Sequence, residues 1–301
     1  MAYSDRIGAA LRTGWHRTAQ ELTPIAAGRS CRGWAVVAGD ARFVARLFAA
    51  TERPRVEAGL AAAERLRARG LAVGRPVRAA DGGLTVAVDS GILALSAHVP
   101  GRPLAAADPI DQQWWGDLLG TAHRELDGFQ HVGLPRWHGI RADAPHLEIE
   151  PWLRPAVADA VAALTKLTVT DQLTYGVLHG DPAAAAFRVD IATGRTGMLG
   201  WGPAATGPLV YDLAGAVTYA GDQARAAELL DGYAAAGPVT RDEIEATLPV
   251  LLRFRWAAEA DWYARRLHTQ DEVGGPDPAD DRAALHAARD ALAAITAAES
   301  A

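Results

Sequence analysis

The chain has 301 residues, half of them hydrophobic, with 30 basic and 36 acidic side chains and a formal net charge of −6. This negative balance excludes a general electrostatic attraction to nucleic acids or anionic membranes, so neither is expected as a partner. The only cysteine, Cys31, excludes an internal disulfide and a thiolate metal cluster. No segment approaches the ~20 apolar residues of a membrane-spanning helix, and the first residues do not read as a signal peptide, so we expect a cytoplasmic protein.

Among the basic residues only Lys166 is a lysine, while arginine and alanine are abundant. This bias indicates a GC-rich genome of the actinobacterial kind and says nothing about function. The length fits two modest lobes better than a single core.

The first hundred residues predict a small β-rich lobe. Residues 33–48 read as a hairpin, because β-rich runs flank the turn pair Gly39-Asp40. A helix is predicted over 55–69, between Pro54 and Gly70. Short β-like runs follow at 73–77, 84–88 and 91–99. We therefore assign 1–98 to an N-lobe and 99–104, which contains two prolines, to a hinge.

The remaining residues, 105–301, predict a helical C-lobe with one embedded hairpin. Helices are predicted over 112–126, 152–167, 241–267 and 277–301, with a β-turn-β unit over 175–199 that turns at 190–194. Thr240 and Glu243 have the spacing of a capping box at the start of the third helix. The predicted fold class is therefore α+β, with a β-rich N-lobe and an α-helical C-lobe.

The motif with the clearest chemistry is His179-Gly180-Asp181, which ends a predicted strand and is followed by Leu199-Gly-Trp-Gly202 and Tyr211-Asp212. This ordered set resembles the aminoglycoside phosphotransferase and choline-kinase-like family, which has a bilobal, protein-kinase-like fold. The resemblance covers nearly the whole chain, since the residues at 28–33 and 99–104 match its glycine loop and hinge.

The resemblance implies a role for several residues. Asp181 would accept a proton from the substrate or orient it, His179 would support the same loop, and Asp212 would brace that loop. A bound nucleotide would be held by Arg46, Glu57, Gly28 and Ser30. Arg46 and Glu57 would form an ion pair, which equally well joins a strand to a helix without any nucleotide.

Two residues depart from the family pattern. The positions at which relatives carry the asparagine and the aspartate that hold magnesium are Ala186 and Gly200. Magnesium requires oxygen ligands, and neither residue has a side-chain oxygen. We therefore predict no metal site and no ATP cofactor, and we expect ordinary phosphoryl transfer to be lost.

Three functions remain open from the sequence. The first is a repurposed, ATP-independent enzyme that uses Asp181 on a natural-product intermediate in the interlobe cleft, by cyclisation, elimination or isomerisation. The second is a non-catalytic pseudokinase that binds a small molecule, a peptide or a partner enzyme. The third is an unusual phosphotransferase that uses ATP and magnesium on a small-molecule or peptide hydroxyl. Of the nine tryptophans, most are expected in the core and a minority in a pocket.

Overall fold

The computed structural model describes residues 3–25, 31–137, 139–170, 173–269 and 278–299. Its N-terminal part contains a five-stranded antiparallel sheet in the order β1-β2-β3-β5-β4. The strands are β1 (Glu21–Ile25), β2 (Arg32–Ala38), β3 (Ala41–Ala49), β4 (Thr85–Val88) and β5 (Gly91–Ala97). The predicted hairpin is confirmed, because β2 pairs with β3 across Gly39-Asp40 and Gly39 has the positive φ of 61° that such a turn requires.

Two helices accompany this sheet. The helix α1 (Tyr3–Trp15) has no counterpart in the sequence predictions; it buries Ile7, Leu11 and Trp15 against one face of the sheet. The helix α2 (Arg53–Ala68) confirms the helix predicted over 55–69 and buries its inner residues on the opposite side.

The C-terminal part is mainly helical, which confirms the α+β layout. Its helices are α3 (Pro109–Glu125), α4 (Leu153–Thr170), α5 (Leu209–Ala220), α6 (Ala227–Ala236), α7 (Arg241–Thr269) and α8 (Pro278–Glu299). Its short strands are β6 (Arg102–Pro103), β7 (Tyr175–Leu178), β8 (Phe187–Asp190), β9 (Arg195–Met198) and β10 (Ala205–Pro208). Within the described ranges, we find no helix with the length and apolar character needed to cross a bilayer.

The structure corrects two strand predictions. The run 73–77 is not a strand; it contributes only single bridges, from Val73 to Met198 and from Pro76 to Ser96, and a proline has no N–H for a continuous ladder. The unit 175–199 is not one hairpin either. Strand β7 pairs with β10, and β8 pairs with β9 and with the hinge strand β6.

The capping box at Thr240 is only half formed. The Glu243 N–H donates to Thr240 Oγ1 at 3.2 Å, as predicted. The Glu243 carboxylate, however, accepts from the backbone N–H and the hydroxyl of Thr174, at 2.6 and 2.7 Å. A tertiary contact to the residue before β7 therefore takes the place of the local reciprocal bond.

Helix α2 packs directly on the segment that follows β9. An added Cβ at Gly59 would lie 1.8 Å from the Trp201 carbonyl oxygen, so only glycine allows this approach. Three residues of α2, Ala62, Ala63 and Leu66, belong to the same buried cluster as the C-terminal helices. This contact fixes the N-terminal part against the loop that carries Gly200.

Replacing Gly59 with alanine is expected to lower the free energy of unfolding by about 1–3 kcal/mol, because the helix must shift to admit the methyl group. The matched control is Gly8→Ala in α1, where an added Cβ meets nothing closer than 3.8 Å. That change should be neutral or stabilise by about 0.5–1 kcal/mol through helix propensity. Urea unfolding of both variants checks the difference, and equal effects would contradict the packing assigned to Gly59.

Candidate active site

A buried hydrogen-bond network centred on Asp212 in α5 holds the loop that carries Asp181. The backbone N–H groups of His179 and Gly180 donate to the two Asp212 carboxylate oxygens, at 2.5 and 3.0 Å. His123 of α3 contacts the same carboxylate through Nε2 at 3.1 Å, and its Nδ1 lies 2.8 Å from the Tyr233 hydroxyl. This is the bracing contact that the resemblance implied for Asp212.

The protonation of this network follows from its surroundings. Burial raises the pKa of Tyr233 well above 10.0, so its hydroxyl stays protonated and donates to His123 Nδ1. His123 then carries its proton on Nε2 and donates to Asp212. Burial alone would raise the pKa of Asp212, but the hydrogen bonds that its carboxylate accepts from His123 and from the Gly180 N–H outweigh burial and hold that pKa below 3.8.

His179 is a positioning residue. Its side chain is fully buried, and its Nε2 lies 2.7 Å from the Leu199 carbonyl oxygen, which can only accept a hydrogen bond. The ring packs against Trp201 at 4.9 Å and Phe187 at 6.0 Å. His179 does not line the cleft described next, so a direct catalytic role for it is not supported; it connects the loop of Asp181 to the Leu199-Gly200 segment.

Asp181 lies at the wall of a cleft of about 540 Å³, within the usual size range of small-molecule sites. The Tyr219 hydroxyl of α5 donates to Asp181 Oδ1 at 2.5 Å. The other walls come from the start of α2, the 135–137 segment and α7. We call this cavity the Asp181 cleft.

The two expected metal positions lie side by side, but neither offers a ligand. The Leu199 N–H donates to the Ala186 carbonyl at 2.8 Å, which brings Ala186 next to Gly200. Asp190 belongs to the hairpin turn, where it accepts from Thr193 and Ala192, so it does not supply the missing oxygen. Across the residues that the structure describes, no group of three or more His, Cys, Asp or Glu side chains could hold a metal. The donor set therefore does not fit magnesium.

The predicted pair of Arg46 and Glu57 is not formed. Glu57 accepts from the Thr85 hydroxyl at 2.6 Å and from Arg53 at 3.4 Å. Arg46 points instead into a narrow cavity of about 20 Å³ whose α2 wall is Val56, Leu60 and Ala63. The reason is helical geometry: those three residues share one face, and Glu57 follows Val56 by about 100° around the helix.

The remaining predicted nucleotide contacts, Gly28 and Ser30, lie outside the described residues. The neighbouring Cys31 is buried, and this burial raises the pKa of its thiol to about 11, although the charge of Arg46 acts in the opposite direction. The thiol is therefore not ionised at neutral pH and does not act as a nucleophile there.

Comparison with known proteins decides the family. Residues 21–247 match the sequence profile of the phosphotransferase enzyme family. The chain belongs to this family. No curated protein sequence matches the chain.

Solved structures confirm the kinase-like fold. A microcompartment-associated aminopropanol kinase is 18% identical, with a TM-score of 0.75, and the match covers 96% of this chain and 95% of that one. The amicoumacin kinase hAmiN is 16% identical, with a TM-score of 0.72, over 97% and 93% of the two chains. A choline/ethanolamine kinase family protein from Mesorhizobium loti is 17% identical, with a TM-score of 0.65, over 97% and 93%.

A group of positive side chains occupies the crevice beside the hinge of this family member. Arg188 lies on β8, paired with Pro103 of the hinge strand, and its Nε is buried without a hydrogen-bond partner. Burial lowers the pKa of Arg46 and of Arg188, and the charge of Arg188 lowers that of Arg46 further. Burial, then the charges of Arg188 and Arg42, lower the pKa of His98 below 6.5.

Replacing Arg188 with glutamine is expected to raise the pKa of His98 toward 6.5, because one of the charges that oppose its protonation is removed. In the wild type, His98 binds a proton more readily in the unfolded chain than in the folded one at pH values between its lowered pKa and 6.5. The contribution of His98 therefore lowers the free energy of unfolding as the pH drops through this interval. Proton NMR titration of His98 checks the shift. Arg195→Gln, at the exposed first residue of β9, is the control and should leave the titration unchanged.

The sequence predictions missed most of the cleft. Tyr219 was not identified, nor were the α7 residues that face Asp181. These α7 residues carried a signal, since Arg255, Glu259, Trp262 and Arg266 recur at intervals of three or four and so share one helix face. Of the tryptophans, Trp137 and Trp262 line the cleft.

Proposed function

We propose that this phosphotransferase-family protein performs a metal- and ATP-independent proton-transfer reaction in the Asp181 cleft, on a small-molecule or peptide intermediate of natural-product biosynthesis. One observation carries the proposal. The loop geometry around Asp181 is retained, braced by Asp212, while Ala186 and Gly200 leave the neighbouring metal positions without ligands.

Asp181 has the environment of a general acid–base group. Tyr219 donates to Oδ1, which leaves Oδ2 available to the substrate at the edge of the cleft. As a carboxylate, Asp181 would take a proton from one substrate atom and return it to another. Isomerisation or cyclisation by such a transfer needs no co-reactant, and elimination would return the proton to the leaving group.

Phosphoryl transfer is a poorer match to the same residues. Catalysis of that reaction depends on metal ions and preorganised charge around the phosphates. Removing a single preorganised group of this kind costs about 100- to 1000-fold in rate, and here both metal ligands are replaced. Arg46 and Arg188 add positive charge next to these positions, with no acidic partner for Arg46 among the described residues, and this disfavours a divalent cation.

The proposal is tested by replacing Asp181 with asparagine on the chromosome of the native host and comparing small-molecule and peptide profiles with the wild type. We expect an accumulated precursor that is isomeric with the missing product, or that differs from it by an eliminated leaving group. Asp143→Asn, an exposed surface change, is the control. A precursor that differs from the product by a phosphoryl group would contradict the proposal.

Nucleotide titration gives a second, independent reading. We expect ATP with magnesium to leave the thermal unfolding midpoint unchanged, because the protein would not bind them. If ATP did bind, a concentration 100 times its Kd would stabilise the fold by about 2.7 kcal/mol and raise the midpoint. Magnesium-dependent stabilisation by ATP would favour an active phosphotransferase. A host profile that changes on gene deletion but not with Asp181→Asn would favour the binding role of a pseudokinase.

A further inference from the structure

Arginines dominate the charged lining of the Asp181 cleft. Five arginines face three carboxylates there: Arg55, Arg136, Arg255, Arg265 and Arg266 against Glu52, Asp181 and Glu259. Because the chain as a whole is negative, this arginine-rich lining is a property of the cleft and not of the composition. Guanidinium groups keep their charge at all physiological pH values.

Two of these arginines form ion pairs with buried carboxylates that do not line the cleft. Arg265 pairs with Asp261 at 2.7 Å, and Arg266 pairs with Asp281 at 2.9 Å. Both carboxylates are buried and neither lines the cleft, so they orient the guanidinium groups from the protein side. Arg266 also lies over the Trp262 ring, at 5.0 Å from its centroid. Arg265, whose ion pair with Asp261 uses a single terminal nitrogen, can offer its other N–H donors to a carboxylate or a phosphate.

Arg136 lines the same cleft from the 135–137 segment. Its backbone is bridged to Thr206 of β10, but its exposed side chain makes no hydrogen bond or ion pair with any residue in the described ranges. The pairs Arg55–Glu52 and Arg255–Glu259 are each formed within the cleft wall, at 3.2 Å. Arg136 is therefore the guanidinium best placed to meet a ligand.

The same cleft has an aromatic wall. Trp137 packs at 4.5 Å from Tyr211 and at 5.1 Å from Phe254 of α7, which fixes its ring, and Trp262, eight residues further along α7, also lines the cleft. Fixed aromatic rings provide a flat apolar surface for the uncharged part of a ligand.

We propose that the Asp181 cleft selects an organic acid, whose carboxylate or phosphate is bound by Arg136 together with Arg265 and whose apolar body lies against Trp137 and Trp262. The inference rests on the proposed function, because it names the substrate class of the same cleft. A cationic ligand would meet several fixed positive charges here, whereas an anion gains charge-assisted hydrogen bonds.

The test compares three probes of matched shape, 3-phenylpropionate, 3-phenylpropanol and 3-phenylpropylamine, by calorimetric titration of the full chain at constant ionic strength. Phenyl phosphate distinguishes a phosphate from a carboxylate preference. We expect at least one of the two anions to bind about 10-fold or more tightly than the alcohol, and the amine to bind most weakly. Failure of both anions to exceed the alcohol and the amine overturns the proposal.

Matched variants locate the anion. Arg136→Ala should remove most of the preference for the acid, and Arg136→Glu should reverse it in favour of the amine. Arg195→Ala and Arg195→Glu, at the exposed first residue of β9, should change neither. If the Arg136 and Arg195 variants changed the preference equally, the assignment of Arg136 to anion binding would be overturned. If acid binding depends on Arg136 but the Asp181→Asn host profile does not change, this inference is retained and the proposed reaction is rejected. If the Asp181→Asn strain accumulates an amine, the proposed reaction is retained and the selection of an acid is rejected.

Discussion

Replacing Asp212 with alanine is expected to lower the free energy of unfolding by about 3–5 kcal/mol, because three hydrogen-bond donors lose their buried acceptor and each unsatisfied donor costs about 1–3 kcal/mol, not fully additively. The two N–H groups of His179 and Gly180 would lose their acceptor inside the protein, and His123 would lose its partner. Unsatisfied buried donors are costly because no water replaces the lost contact. Urea unfolding at neutral pH measures the loss.

The matched control is Asp143→Ala, which removes an exposed carboxylate paired with Arg141 at 2.7 Å. Such a surface pair contributes about 0–1 kcal/mol. The pH dependence provides a second check. Since the pKa of Asp212 is lowered in the folded state, its contribution is present above 3.8 and is lost as the pH falls through the folded value. An Asp212→Ala protein as stable as the Asp143→Ala protein would refute the bracing role.

Replacing Asp181 with asparagine is expected to lower kcat by about 100- to 10,000-fold on the compound that accumulates in the variant strain, since an amide neither takes nor returns the proton. The free energy of unfolding should remain near that of the wild type, because Asp181 lies at a cleft wall and its hydrogen bond with Tyr219 is only partly buried. Single-turnover kinetics and urea unfolding measure the two effects separately.

Tyr219→Phe is the informative companion. It removes the hydroxyl that donates to Asp181 Oδ1 but keeps the ring. The loss of kcat should be smaller than in Asp181→Asn, because the carboxylate that takes and returns the proton is kept and only its orienting contact is lost. If the Asp181→Asn variant kept the wild-type kcat, or if its loss of kcat were explained by unfolding of the protein, Asp181 would have no role in the reaction.

The outcome of the sequence predictions depends on how local each signal is. The helix predicted over 112–126 is confirmed by α3, which buries Trp115 and Leu119 four residues apart, because helical spacing alone decides which residues share a side. The pairing of Arg46 with Glu57 was wrong, because it depended on how α2 is rotated against β3. That rotation is decided by packing, which places Val56 and Leu60 toward Arg46.

The sequence by itself determined the family, the α+β order of elements and the position of Asp181 after a strand, because these follow from short motifs and from hydrophobic periodicity. It also determined that Ala186 and Gly200 carry no side-chain oxygen. Only the tertiary structure decided that His179 is buried away from the cleft and that Tyr219 contacts Asp181. It also showed that arginines of three separated segments meet in one cavity. Contacts between residues distant in the chain depend on how helices and strands pack, and no local pattern encodes that arrangement.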